Sequence, residues 1–120
     1  MTEASLKTLI ETTLSIPVFE GSDSIIYPAA TLEVTDRPAV LIGDGHAVIR
    51  EAEVTINLWY EEKSARDVAS DLLLATLDTQ DGISVPDCLN YYDTTAKKFR
   101  SVISFNFIPR QEEVNNVTAL

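Results

Sequence analysis

The sequence predicts an α+β domain: a single mixed or antiparallel sheet of four to five strands, two helices packed on one face, and one long projecting β-hairpin. Three observations lead there. Segments 3–15 and 64–78 space their apolar residues at the helical period, whereas 29–35, 47–61 and 99–109 alternate apolar and polar residues as strands do. The chain has 120 residues, enough for one hydrophobic core and too few for two domains of ordinary size. One amphipathic helix does not cover four or five strands, so two helices on one face is the economical packing.

In EASLKTLIETTLS, Leu6, Leu9, Ile10 and Leu14 fall on one helical face and Glu3, Lys7 and Glu11 on the other, with Thr2 or Ser5 placed to cap the start. Pro17 marks the stop, and IPVFEGSDS reads as an exit into a turn. AATLEVT is a half-buried strand, with Leu32 and Val34 opposite Thr31, Glu33 and Thr35. Asp36-Arg37-Pro38 breaks it, and AVLIG (39–43) is a short, wholly apolar strand. The glycines of GDGH then suit a turn into AVIREAEVTINLWYE, whose even positions from Val48 to Tyr60 are apolar except Arg50. One long strand is the expectation.

SARDVASDLLLATLD is the clearest helix. Ala65, Val68, Leu72 and Ala75, flanked by Ala69, Leu73 and Thr76, form its expected apolar stripe, and Ser64 with Asp67 resembles a capping box. Asp78 to Gly82 ends it. Pro86 makes ISVPDCLNYY an edge strand or a bulge, residues 93–97 are turn-like, and FRSVISFNFIP alternates Phe99, Ile103, Phe105 and Phe107 with Arg100, Ser104 and Asn106. The domain is expected over residues 1–109, with 110–120 a C-terminal tail or arm.

Charge narrows the function classes. Nineteen acids against nine bases leave a net charge of −10 and a pI near 4.3. Binding nucleic acid through its phosphates needs clustered Lys and Arg, yet the longest basic run is Lys97-Lys98. Cys88 is the only cysteine, so an intrachain disulfide is excluded and a reducing compartment is expected. MTEASLKTLI lacks the pattern of a signal peptide, and no run approaches a membrane span, so synthesis in the cytosol is expected without a membrane partner.

The only histidine, His46, stands beside Asp44. A zinc site needs several N, S or O donors, and a calcium loop needs acids at alternating positions. GDGHA supplies neither, so the turn is the better reading. Cys88 has no basic neighbour and reads as a small buried residue. The carboxylate pairs at 51/53, 61/62 and 112/113 read as solvated faces, and four glycines form no phosphate-binding loop. No catalytic residue, metal or cofactor is expected. Tyr60 shares parity with Ile56 and Leu58 and belongs to the core; Trp59, on the polar side with Asn57, implies that something covers that face.

Taken in order, the first helix leading into IPVFEG, the strand DRPAVLIG, the long strand EVTINLWYEE, the helix ARDVASDLLLATLD and the final FRSVISFNFIP resemble the small tail terminator proteins of long-tailed bacteriophages and prophages, also called tail completion or head-to-tail joining proteins. The resemblance runs from about Leu6 to Pro109 and rests on order and spacing, because the family shares no catalytic motif. It implies a structural virion protein and not an enzyme. Such proteins form a homomeric ring, typically a hexamer, that caps the tail tube and joins it to the head connector. The implied partners are further copies of this chain, the tail tube protein and a head completion protein. The implied location is the head-proximal end of the virion tail, after assembly in the host cytoplasm. DNA passes through the lumen without sequence-specific binding, and acidic side chains would keep it from adhering.

On this reading Asp44, Glu51 and Glu53 lie near the hairpin, and Arg50 is available to an acid of a neighbouring subunit; with His46 and Trp59 they form the candidate interface or lumen set. A head completion or minor tail protein of the same connector region fits the same pattern. An acidic DNA-mimic binding module is the alternative from charge alone.

Overall fold

The computed structural model describes residues 2–20, 26–36, 40–42, 47–49 and 51–107. Along the chain run helix α1 (Glu3–Leu14), strands β1 (Val18–Phe19), β2 (Ala29–Asp36), β3 (Val40–Ile42), β4 (Ala47–Ile49) and β5 (Ala52–Tyr60), helix α2 (Lys63–Leu77), and strands β6 (Asp87–Asp93) and β7 (Lys98–Phe107). Five strands make one mixed sheet in the order β1-β2-β5-β7-β6; β1 is parallel to β2 and every other pairing is antiparallel. The fold is α+β. No helix among the described residues is long and apolar enough to cross a membrane.

Local chemistry starts and stops α1. The Thr2 hydroxyl accepts from the Ser5 N–H, and the Ser5 hydroxyl accepts from the Thr2 N–H at 2.8 Å, a reciprocal cap that satisfies two end donors. Ser15 then turns left-handed (φ 55°) and donates its N–H to Glu11 O, with Pro17 following. Val18 and Phe19 pair beside β2 where the sequence reads as a turn. Two residues are too few to display a period of two.

Strand β5 organises the interior. Ala52, Val54, Ile56 and Leu58 are buried, and their register partners Leu32 and Ala30 on β2 and Ile103, Phe105 and Phe107 on β7 share that face. Leu6 and Ile10 of α1 and Leu73 and Leu77 of α2 complete the same cluster. Each fully buried aliphatic side chain here contributes roughly 1.5–3 kcal/mol.

Helix α2 departs from expectation in phase and in capping. Its buried residues are Arg66, Ala69, Ser70, Leu73 and Leu77, whereas Val68 is 67% and Leu72 47% exposed. The expected stripe is rotated by about one residue's turn, because Arg66 reaches backbone acceptors on β6 and β7 and holds that side of the helix to the sheet. The helix begins at Lys63, with Glu62 at the cap and no side-chain cap bond; Asp67 pairs with Arg66 at 2.8 Å, so Ser64 and Asp67 form no capping box.

The expected single strand over 47–61 is two strands. β4 pairs with β3 in a separate two-stranded ribbon (Val40↔Ile49, Leu41↔Val48, Ile42↔Ala47), while β5 pairs with β2 from Asp36↔Ala52 onward. The pairing of β2 with β5 ends at Asp36↔Ala52 and that of β3 with β4 begins at Val40↔Ile49.

After α2, Gly82 (φ +80°) turns the chain, and Ser84 donates its N–H to Asn106 O at 2.8 Å. Immediately after Pro86, β6 forms the edge beyond β7, as the proline implies. The β6–β7 hairpin is closed by Asp93, whose Oδ1 accepts the N–H groups of Thr95 and Ala96, both at 3.0 Å, with Lys97 left-handed (φ 56°).

Candidate functional site

The sheet has a second face, formed by the odd residues of β5 and the even residues of β7. On it Trp59 stands directly across from Arg100, and Arg100 directly across from Tyr91 of β6. This register, invisible along the chain, builds the densest polar constellation among the described residues. The Arg100 guanidinium lies 4.9 Å from the Trp59 ring centroid and 5.6 Å from that of Tyr91. Its Nε and Nη2 donate to Asn57 Oδ1 at 3.1 and 2.6 Å, and its Nη1 donates to Asp93 Oδ2 at 3.1 Å. Tyr27 meets Trp59 edge-on at 6.2 Å, and the Lys98 ammonium sits 4.9 Å over Tyr27 while pairing with Glu61 at 3.3 Å.

Trp59 is therefore 8% exposed, and its cover comes from Tyr27 and Arg100 of its own chain. Its Nε1–H meets no acceptor at hydrogen-bond geometry, yet lies near enough to the Asp93 carboxylate to help lower its pKa. The directional requirement decides between these, so the contact is electrostatic and not a formed hydrogen bond. The backbone N–H of Ala96 is the largest cause holding Asp93 below its ordinary value, with the Arg100 guanidinium and the Thr95 N–H adding to it and desolvation opposing.

Chemically this constellation is closed. The guanidinium donors are engaged by Asn57 and Asp93, and the one carboxylate is held ionised, so it offers neither a base near neutrality nor an open anion site. Its effect is to rigidify one end of the open face.

Behind the sheet, Arg66 is 4% exposed; its Nη1 donates to Tyr91 O (3.3 Å) and Arg100 O (3.4 Å), and its guanidinium lies 5.7 Å from the Phe99 ring centroid. Beside it, on the same side of β6, Cys88 is exposed and not buried as the sequence suggested, because β6 is the sheet's edge. Partial burial and the Asp71 carboxylate push its thiol pKa up, against Arg66, which lowers it. A raised pKa disfavours the nucleophilic thiolate.

Of the sequence candidates, Asp44, His46 and Arg50 lie outside the described residues. Glu51 and Glu53 are exposed on the solvent side of two small clefts of about 230 and 190 Å³, both also lined by Ser84 and Asn106. Trp59 lies at the other end of β5, seven residues from Ala52, so the structure does not bring it together with these acids. Among the described residues no three His, Cys, Asp or Glu side chains are grouped to hold a metal ion.

Among the described residues two apolar surfaces are open, and they are unlike. One is a groove of about 400 Å³ where the end of α1 meets α2, lined by Thr13, Leu14, Tyr60, Ala65, Val68 and Leu72, with no charged residue in its wall. The other is the β6 edge with its approach, where Leu89 is 63% and Val85 88% exposed and Tyr91 and Tyr92 are also exposed. Arg100, Asn57 and Asp93 were not legible as a set from the sequence, since only the pairing of β5, β6 and β7 gathers them. The Val68 and Leu72 surface was legible as an apolar stripe but read as core. No protein-family model matches the chain, and no curated protein matches it in sequence.

Proposed function

We propose that this protein is a structural subunit that works by assembling, and that the assembly is the ring of a phage tail terminator, capping the tail tube and joining it to the head connector. The observation that carries the assembly is the pair of unlike apolar surfaces on one small domain: the groove beside Val68 and Leu72, and the β6 edge with Leu89 and Val85. A cyclic, head-to-tail interface needs two different patches on every copy, and a stack on a tube needs further surface along the axis. The order of elements resembling that of tail terminators supplies the specific identity. The acidic balance of −10 suits a lumen through which DNA passes without adhering.

Native mass spectrometry of the purified protein, alone and with tail tubes, with negative-stain imaging of the products, tests this reading. A closed ring, six-fold on the family likeness, is the expected result. A protein that stays monomeric or dimeric under both conditions and instead captures a basic DNA-binding protein in a fixed ratio overturns it in favour of an acidic DNA mimic.

A further inference from the structure

We infer that the outer edge of β6 receives an extended, cationic strand of a second protein. This goes beyond the ring reading and does not rest on it. An added strand pairs with the main chain of β6, in the plane of the sheet, whereas the Leu89 side chain stands off the sheet's face and stays available to a neighbouring copy.

The direction of the β6 main chain follows from one residue of β7. Asn106 accepts the Ser84 N–H at its carbonyl (2.8 Å) and donates its own N–H to Ser84 Oγ (2.9 Å), so its polar groups point to the β6 side. Antiparallel ladders alternate, and the β6–β7 register is unbroken, so Ser104, Val102 and Arg100 bond to Asp87, Leu89 and Tyr91. Arg66 accordingly reaches the carbonyls of Tyr91 and Arg100 together. The residues between, Cys88, Asn90 and Tyr92, turn their N–H and C=O groups outward.

Among the described residues β6 pairs with β7 alone, and Asp87 to Tyr92 are all exposed. Sheet edges are ordinarily blunted by lysine, proline, a bulge or brevity. β6 has seven residues with no Lys, Arg, Pro or Gly among them, whereas β1, at the other edge, has two residues. An edge this long and unguarded is a template for strand addition.

Charge selects the occupant. Asp87 and Asp93 end the strand on the face that carries Leu89 and Tyr91. On the other face, burial and then the Asp71 carboxylate push the Cys88 thiol pKa up, which places Asp71 beside Cys88. Among the described residues Asp71 and Asp87 enter no ion pair, while Arg66 and Arg100 are engaged by Asp67 and Asp93. A second copy's β6 is the wrong occupant. The antiparallel register that matches every outward group, Asn90 opposite Asn90, sets Asp87 of each copy against Asp93 of the other, and like charges directly opposite destabilise. Each copy also carries a net charge of −10. A strand with lysines at its ends and beside Cys88, and apolar residues beside Leu89 and Tyr91, complements all of these groups.

Hydrogen exchange of the isotope-labelled full chain, read residue by residue by NMR, tests this with two end-capped peptides, KTVTVKK and its acidic counterpart ETVTVEE. Without peptide, the amides of Cys88, Asn90 and Tyr92 should exchange faster than those of Leu89 and Tyr91. Millimolar KTVTVKK should slow those three at least about tenfold, and ETVTVEE should leave them unchanged. Asp71→Lys with Asp87→Lys, at exposed positions, should reverse the preference. Cys88→Pro removes one outward N–H and no bond to β7, so it should abolish most of the protection; circular dichroism checks that both variants fold. Equal protection by the two peptides, or a preference that the lysine variant leaves unchanged, overturns the cationic assignment. Outward amides that neither peptide slows overturn strand addition. Protection that rises with protein concentration in the absence of peptide gives the edge to a second copy and overturns the inference. The ring reading stands or falls separately, by the mass spectrometry above.

Discussion

Arg66→Met removes a buried guanidinium while keeping an unbranched stem and nearly equal helix propensity, so the loss reports the polar contacts. Those contacts are weak one by one. The hydrogen bonds to Tyr91 O and Arg100 O, at 3.3 and 3.4 Å, are long and contribute about 0.5–1 kcal/mol each. The guanidinium over Phe99 at 5.7 Å adds about 0.5–1 kcal/mol. The Asp67 partner is 45% exposed, so that pair adds at most a few tenths, on the order of 0.3 kcal/mol. Opposing them is the desolvation that methionine avoids, which in other buried ion pairs has equalled or exceeded the gain. The balance is a destabilisation of about 1–2 kcal/mol. Urea unfolding followed by circular dichroism should then show a midpoint lower by about 0.5–1 M, for a slope near 2 kcal/mol/M. A second readout belongs to the site alone. Arg66 lowers the Cys88 pKa, so its removal should move the pH profile of thiol alkylation upward. An unchanged or higher urea midpoint would show that desolvation outweighs the bonds, and would refute the account of why α2 sits in its observed phase.

Two substitutions on the same helix test that phase more simply. Leu73→Ala, at a fully buried position, should cost about 3–5 kcal/mol, whereas Val68→Ala, 67% exposed, should stay within about 0.5 kcal/mol; thermal unfolding distinguishes them, and equal losses would restore the stripe expected from the sequence. Asp93 has its pKa held below the ordinary 3.8, so its stabilising effect is present above that value and disappears as the pH falls through the lower folded value. Asp93→Asn should lower the Tm at neutral pH and flatten its acid limb over that window, with the two proteins converging in stronger acid.

What the sequence made legible follows from local physics. Alternation identified β2 and β7, the Thr2–Ser5 cap and Pro17 bounded α1, and Pro86 marked β6 as an edge, because each of these is decided by residues within a few positions of one another. Where the reading failed, a distant partner decided. Val68 and Leu72 look like core to a periodicity argument, and Arg66 looks like surface; the carbonyls of Tyr91 and Arg100, 25 and 34 residues away, reverse that. Cys88 is small and apolar enough for an interior, yet among the described residues its strand is the edge of the sheet.

The long strand shows the same division within one stretch. Even-position apolar residues run through 48–60, and the alternation holds on both sides of Arg50. Whether those halves form one strand depends on what each pairs with, β4 with β3 and β5 with β2 and β7.

By itself, then, the sequence determined the class of fold, the number of helices and the acidic character, since composition and short-range pattern are sufficient for each. The tertiary structure alone decided which helix face is buried, that Trp59, Arg100, Asn57 and Asp93 lock together, and that β3 and β4 pair apart from the five-stranded sheet. Strand register and helix phase are set by contacts between residues far apart in the chain, and no local pattern carries that information.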